Sequence, residues 1–298
     1  MAKIQPSVLN IRLSIGQADT DYVDLSQCAS IVNRRFYRQG LNWIVAGFTV
    51  TAAAVGFVTI AKLPNTWCVS NAWHKSYAAW RKQQNEAIAD AGAQSAVAKY
   101  RDFKIFMSPA HVARGITNNA IPVDMANAPY LEGEWESTQI VIPNTAGVVG
   151  DTDEYTLHMV GVDTAASFGL ILNYGASRAY PHSPDPVHPA VGASFFSEMF
   201  NVGMDDSEIV ANATNKNDDL PYDQDNYPGA GANAPTLELV HETFFTPTTV
   251  SQKNRLSGTN VPCGLLEIAN GVAGPINVII HMVPGKARGY LTQPMQDM

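Results

Sequence analysis

His241 and Glu242 stand side by side, as at the start of the motif in which a helix presents two histidines to zinc and a glutamate to water. The second histidine would fall at position 245, which is Phe245, so that chemistry is not encoded. His182, Asp185 and His188 offer two imidazoles and a carboxylate within one loop. Pro181, Pro184, Pro186 and Pro189 stiffen that loop against convergence on a metal. Asp218, Asp219, Asp223 and Asp225 have the composition of a calcium loop, without its central glycine or closing glutamate. They are expected to form a solvated or intersubunit acidic loop over 217–229. The chain has no GxSxG, no Walker A sequence and no GxGxxG after a strand, and nothing pairs a nucleophile with a base. The expectation is a protein that is not an enzyme, with no catalytic residues, no metal ligands and no cofactor.

Cys28, Cys68 and Cys263 are odd in number, far apart and without metal-ligand spacing, so buried free thiols in a reducing compartment are expected. The start, Met1 to Pro6, carries no apolar signal segment, which fits synthesis and assembly in a cytoplasm. Asn212-Ala213-Thr214 matches a glycosylation acceptor, and in that setting it is read as chance.

The elements that must position any site follow from patterning. Residues 39–61 hold no charge and are flanked by Arg34, Arg35, Arg38 and Lys62, the length of a membrane-spanning helix. Their Thr, Val, Ile and Phe content and the small centre Thr51-Ala52-Ala53-Ala54 instead predict two strands, 41–50 and 55–63. Pro64 stops the second strand, Asn65 or Thr66 caps a helix running to Ala91, and Gly92 ends it. Val69, Trp73, Tyr77, Trp80 and Gln84 form one stripe of that helix, expected to pack on a sheet. Further strands are predicted at 7–15, 102–108, 135–143, 154–162, 168–175, 236–246, 248–256, 263–269 and 276–283. Loops at 180–193 and 217–235 are long enough to need partners, and short helices are expected around 194–200 and 206–215.

The 298 residues suit one large or two medium domains, and 46% hydrophobic against 15% charged residues describes a well-cored protein that covers part of its surface with neighbours. The net charge of −8 is unevenly placed: residues 1–120 balance to +7 and residues 121–298 to −15. A polar assembly is expected, with the first part facing anions in an interior and the acidic loop outside. There is no basic run of five or more, which excludes a dedicated nucleic-acid-binding tail; genome contact would be diffuse, weak and salt-sensitive.

A short pattern occurs twice, as Thr51-Ala52-Ala53-Ala54-Val55-Gly56 and as Thr164-Ala165-Ala166-Ser167-Phe168-Gly169, each joining two apolar runs. Read as a repeat, it predicts two copies of one β-rich unit. The fold class is then mainly β: two jelly-roll sandwiches side by side, each with an inserted helix, the first over 1–125 and the second over 126–298.

The doubled sheet–helix order, the missing basic arm and the closing strands Val261 to Ile268 and Ile276 to Ile280 resemble a small viral major capsid protein. The type is the double jelly-roll capsid protein of small icosahedral single-stranded DNA phages of the finnlakevirus kind. The resemblance implies a structural protein of the virion, assembled in the host cytoplasm. Trimers would form pseudo-hexagonal capsomers over an internal membrane, in contact with other virion proteins. The rival readings are a carbohydrate-binding or carbohydrate-processing jelly-roll protein using Tyr222 and Tyr227 on the acidic loop, and a single-pass membrane protein through 39–61.

Overall fold

A computed structural model describes residues 5–143, 150–178, 227–231, 237–246, 248 and 252–298. Eight strands build its main body: β1 (Asn10–Ile15), β2 (Thr20–Asp24), β3 (Leu41–Ala52), β4 (Gly56–Lys62), β8 (Glu238–Phe245), β9 (Lys253–Val261), β10 (Leu265–Asn270) and β11 (Ile276–Met282). Each early strand pairs antiparallel with a late one: β1 with β11, β2 with β10, β3 with β9 and β4 with β8. The chain is thus one long two-stranded ribbon that turns back over residues 63–237. The ribbon wraps on itself, and β11·β3 and β10·β4 close the wrap. The result is two sheets, β1-β11-β3-β9 and β2-β10-β4-β8, the strand order of a jelly roll. A short strand, Thr292–Pro294, extends the first sheet along Leu41–Trp43.

Period-two patterning explains the wrap. Ile276, Val278, Ile280 and Met282 of β11 are buried, while Asn277, Ile279 and His281 between them are half-buried. The same alternation places Ile11, Leu13 and Ile15 inward from β1, and Trp43, Phe48 and Phe245 complete the interior. At about 25 cal/mol per Å² this shared core is the main stabilising term of the sandwich.

The pairing crosses the boundary expected at 125/126, because both sheets draw strands from either side of it. The strands of 1–62 find their backbone partners in 238–294, so they close no roll of their own. A second roll has no counterpart among the described residues. The six-residue pattern is also not a repeat of structure: 51–56 joins β3 to β4 across the two sheets, whereas 164–169 leads into β7 (Ser167–Gly169), which lies parallel to β6 (Thr152–His158) in one sheet.

The uncharged stretch forms two strands, as its composition indicates, and no helix among the described residues is long and apolar enough to cross a membrane. The expected helix is α2 (Trp67–Asp90), with Thr66 at the N-cap and Gly92 at φ +63° past its end. Two elements near the start have no forecast: β2 and α1 (Leu25–Asn33), whose cap is the buried Asp24. Residues 102–108 are extended but join no sheet beyond a bridge from Phe106 to His158. The predicted strand at 168–175 is mostly α4 (Leu170–Ala176). Asp163 accepts hydrogen bonds from the Gly169 N–H (2.7 Å) and from Asn173 (3.0 Å), tying the first turn of α4 to the chain ahead of it. Leu170, Ile171 and Tyr174 then face inward at helical spacing.

Between β4 and β8 the described residues form a subdomain around β5 (Gln139–Pro143), β6 and β7, with α3 (Pro109–Arg114) and α4. Its core joins Trp73 and Trp80 of α2 to Phe103, Ile105, Met107, Leu157 and Ile171, and continues onto Tyr22 and Leu265 of the second sheet. The helices expected around 194–200 and 206–215, and the loop sites at 182–188 and 217–226, lie outside the described residues.

Candidate functional site

A cleft of about 940 Å³ lies at the end of the roll where α2 meets residues 294–296. Four separate segments wall it: residues 36–41 ahead of β3, the aromatic stripe of α2, residues 97–102, and the turn 286–288 with the following 294–296. Six cations line it, Arg38, Arg81, Lys99, Arg101, Lys286 and Arg288, against one carboxylate, Asp102.

Local bonds set each wall. Asp24, fully buried at the N-cap of α1, accepts from Ser26 N–H (2.8 Å), the Ser26 hydroxyl (2.5 Å), Gln39 Nε2 (3.0 Å) and Trp135 Nε1 (3.2 Å). Gln39 in turn donates to the Ile105 carbonyl and accepts from the Ile105 N–H at 2.7 Å. This network ties the 34–40 segment to the subdomain. A β-carbon at position 40 would stand 2.1 Å from Trp73 Cζ2, so Gly40 is what lets β3 begin against α2. On the far wall the Tyr37 hydroxyl donates to the Arg288 carbonyl (2.9 Å), and Arg288 donates to the Phe36 carbonyl.

The aromatic floor is continuous. Trp73 and Tyr77 stack at 5.0 Å, Trp80 lies 5.4 Å from Phe103, and the Arg101 guanidinium sits 5.7 Å from the Trp80 ring. Trp73 and Trp80 are buried, as the stripe predicts. Tyr100 at the mouth is 59% exposed, with Phe36 5.2 Å to one side and Lys99 Nζ 5.6 Å from its ring.

The single carboxylate is already engaged. Asp102 accepts from the Gln39 N–H (3.0 Å) and from Arg38 (3.3 Å). Burial raises its pKa, while the Gln39 bond and the Arg38 charge pull the other way. Among the described residues no histidine, serine or cysteine lines the cleft, and its chemistry is that of anion and aromatic binding.

The residues singled out in sequence are not brought there. His241 bonds the Ser257 carbonyl at 2.8 Å and meets Phe48 edge-on at 5.9 Å. Phe245 is in the core, and Glu242 points to solvent from the opposite face of the same strand. Tyr227 packs 5.1 Å from Trp67 and 5.8 Å from Tyr174, rather than standing free for a ligand. All three cysteines are free and buried. No metal-binding group of three is present among the described residues. Sequence reading missed the cleft because its cations are scattered from 38 to 288. The nearest signal was Arg34, Arg35 and Arg38, read as the flank of an apolar run.

Comparison with known proteins returns no match among family models, curated proteins or solved structures.

Proposed function

We propose that the chain is the structural major capsid protein of an icosahedral virus, self-assembling through trimeric capsomers into the shell of the virion in the host cytoplasm. The observation that carries this reading is the jelly roll itself: one ribbon wrapped into two four-stranded sheets, with a helix between β2 and β3 and a large insertion between β4 and β8. Such a wrap buries every strand edge it can and leaves its ends and outer faces for neighbours. The outer face of the second sheet exposes Phe57, Phe244 and Leu239 by 53%, 45% and 57%, with the two phenylalanine rings 4.6 Å apart. An apolar surface of this kind fits contact with another subunit. The form we favour uses one roll per chain with the 63–237 insertion as its appendage. An internal membrane and other virion proteins are further partners.

The test is electron microscopy and sedimentation of the purified full chain at assembly concentrations. Shells, hexagonal arrays or trimers support the reading. A stable folded monomer at micromolar concentration, across salt and pH, overturns it.

A further inference from the structure

We propose that the cleft between α2 and the 286–288 turn holds single-stranded nucleic acid, with backbone phosphates against its cations and a base against the exposed ring of Tyr100. The inference deepens the shell reading by naming what this end of the subunit binds, yet it stands on the cleft alone.

Charge comes first. Among the described residues Arg81 and Lys286 have no ion pair, and the only carboxylate in the cleft is bonded by Arg38 and Gln39. Six cations around one spent anion make a local excess that attracts a polyanion and releases its counterions on binding. The sequence has no basic arm; the fold assembles the equivalent charge from four distant segments.

Shape and aromatics then choose among polyanions. The cations surround a recess rather than a flat or protruding surface, and the recess is of nucleotide dimensions at about 940 Å³. A lipid bilayer presents its headgroups as a plane, and duplex recognition needs an element that enters a groove. A flexible single strand can follow a recess and turn a base out of its stack. Tyr100 offers that base an exposed ring already buttressed by Phe36 and by the Lys99 ammonium. Charged groups beside aromatic faces are the combination that binds single strands without reading sequence.

The experiment is fluorescence anisotropy of a labelled oligo-dT of about 20 nucleotides, a span that fills such a site with margin, titrated with the unassembled full chain. Shell formation and strand binding are read separately, so either proposal can fail alone. Binding should weaken steadily as salt rises from about 50 to 200 mM. Arg81→Gln with Lys286→Gln removes two phosphate partners. At a slope of about 0.7 per contact, the salt slope should fall by about 1.4 and the affinity near 0.1 M by about 25-fold. Tyr100→Ala should weaken binding about tenfold with the slope unchanged, since stacking releases no counterions. The exchange Arg81→Lys with Lys286→Arg should retain binding. All three positions are exposed, and circular dichroism verifies that each variant is folded. Absence of binding at about 50 mM salt overturns the proposal, as does a Gln variant that binds like the parent. Equal affinity for a duplex or for anionic phospholipid vesicles also overturns it, in favour of a general polyanion or membrane surface.

Discussion

His111 should make stability fall as pH drops below neutrality. The imidazole lies under the subdomain, stacked on Tyr22 at 4.2 Å and 1% exposed. Its Nδ1 accepts the Met107 N–H at 3.1 Å, so the proton of the neutral ring resides on Nε2, which donates to Asn119 Oδ1 at 2.8 Å. A second proton would have to sit on Nδ1, facing a backbone donor. Burial, and then the nearby Arg114 charge, push the pKa from 6.5 to about 4, against the Asn119 bond that supports the charged form. The folded value is below the unfolded one. The contribution is therefore present above about 6.5 and is lost as pH falls toward 4. Those two values imply a loss of about 2 kcal/mol between pH 7 and pH 5. Other groups are also shifted, mainly by burial, with His158 and His281 lowered and Asp21, Asp24, Asp102 and Glu267 raised. The readout is therefore a difference. Urea unfolding at both pH values is compared with His111→Asn, which keeps an acceptor near Met107 but does not titrate. The parent should lose about 2 kcal/mol more than the variant. Equal pH dependence would refute the argument. If the variant fails to fold, NMR titration of the parent decides: an imidazole that protonates near 6.5 refutes it equally.

Trp80→Ala should cost roughly 3–5 kcal/mol in urea unfolding, because the ring is 7% exposed and packed on Phe103; a loss below about 1 kcal/mol would mean the stripe supports little. Asp24→Asn replaces an acceptor with a donor opposite Gln39 Nε2 and Trp135 Nε1, stranding two buried donors at about 2–4 kcal/mol in all, with a change in Trp135 fluorescence. Burial raises the thiol pKa of Cys28 and Cys263 and pushes Cys68 up to about 11, so the native protein should resist a thiol reagent that labels all three in denaturant.

Local chemistry alone determined much of the chain. The β-branched, uncharged stretch with its small-residue centre favoured two strands over one membrane helix, and two strands are what it forms. Thr66, the aromatic stripe and Gly92 marked α2 to within a residue or two, because capping and period-3.6 burial are properties of neighbouring residues. The mainly β class and the buried free cysteines were legible for the same reason. Where the sequence reading departed from the structure, the deciding contact was distant. Leu170 to Tyr174 is equally apolar as strand or helix, and as a helix it packs Leu170, Ile171 and Tyr174 into the core shared with α2. Alternation says which side of a strand is buried but not which strand lies beside it. Only tertiary pairing could join β1 to β11 and β4 to β8, turning two expected rolls into one. The cleft belongs wholly to that level. Its cations are too far apart in the chain to form any motif, and they share one field only because wrapping the ribbon brings residues 36–41 against 286–288, with 97–102 held over α2.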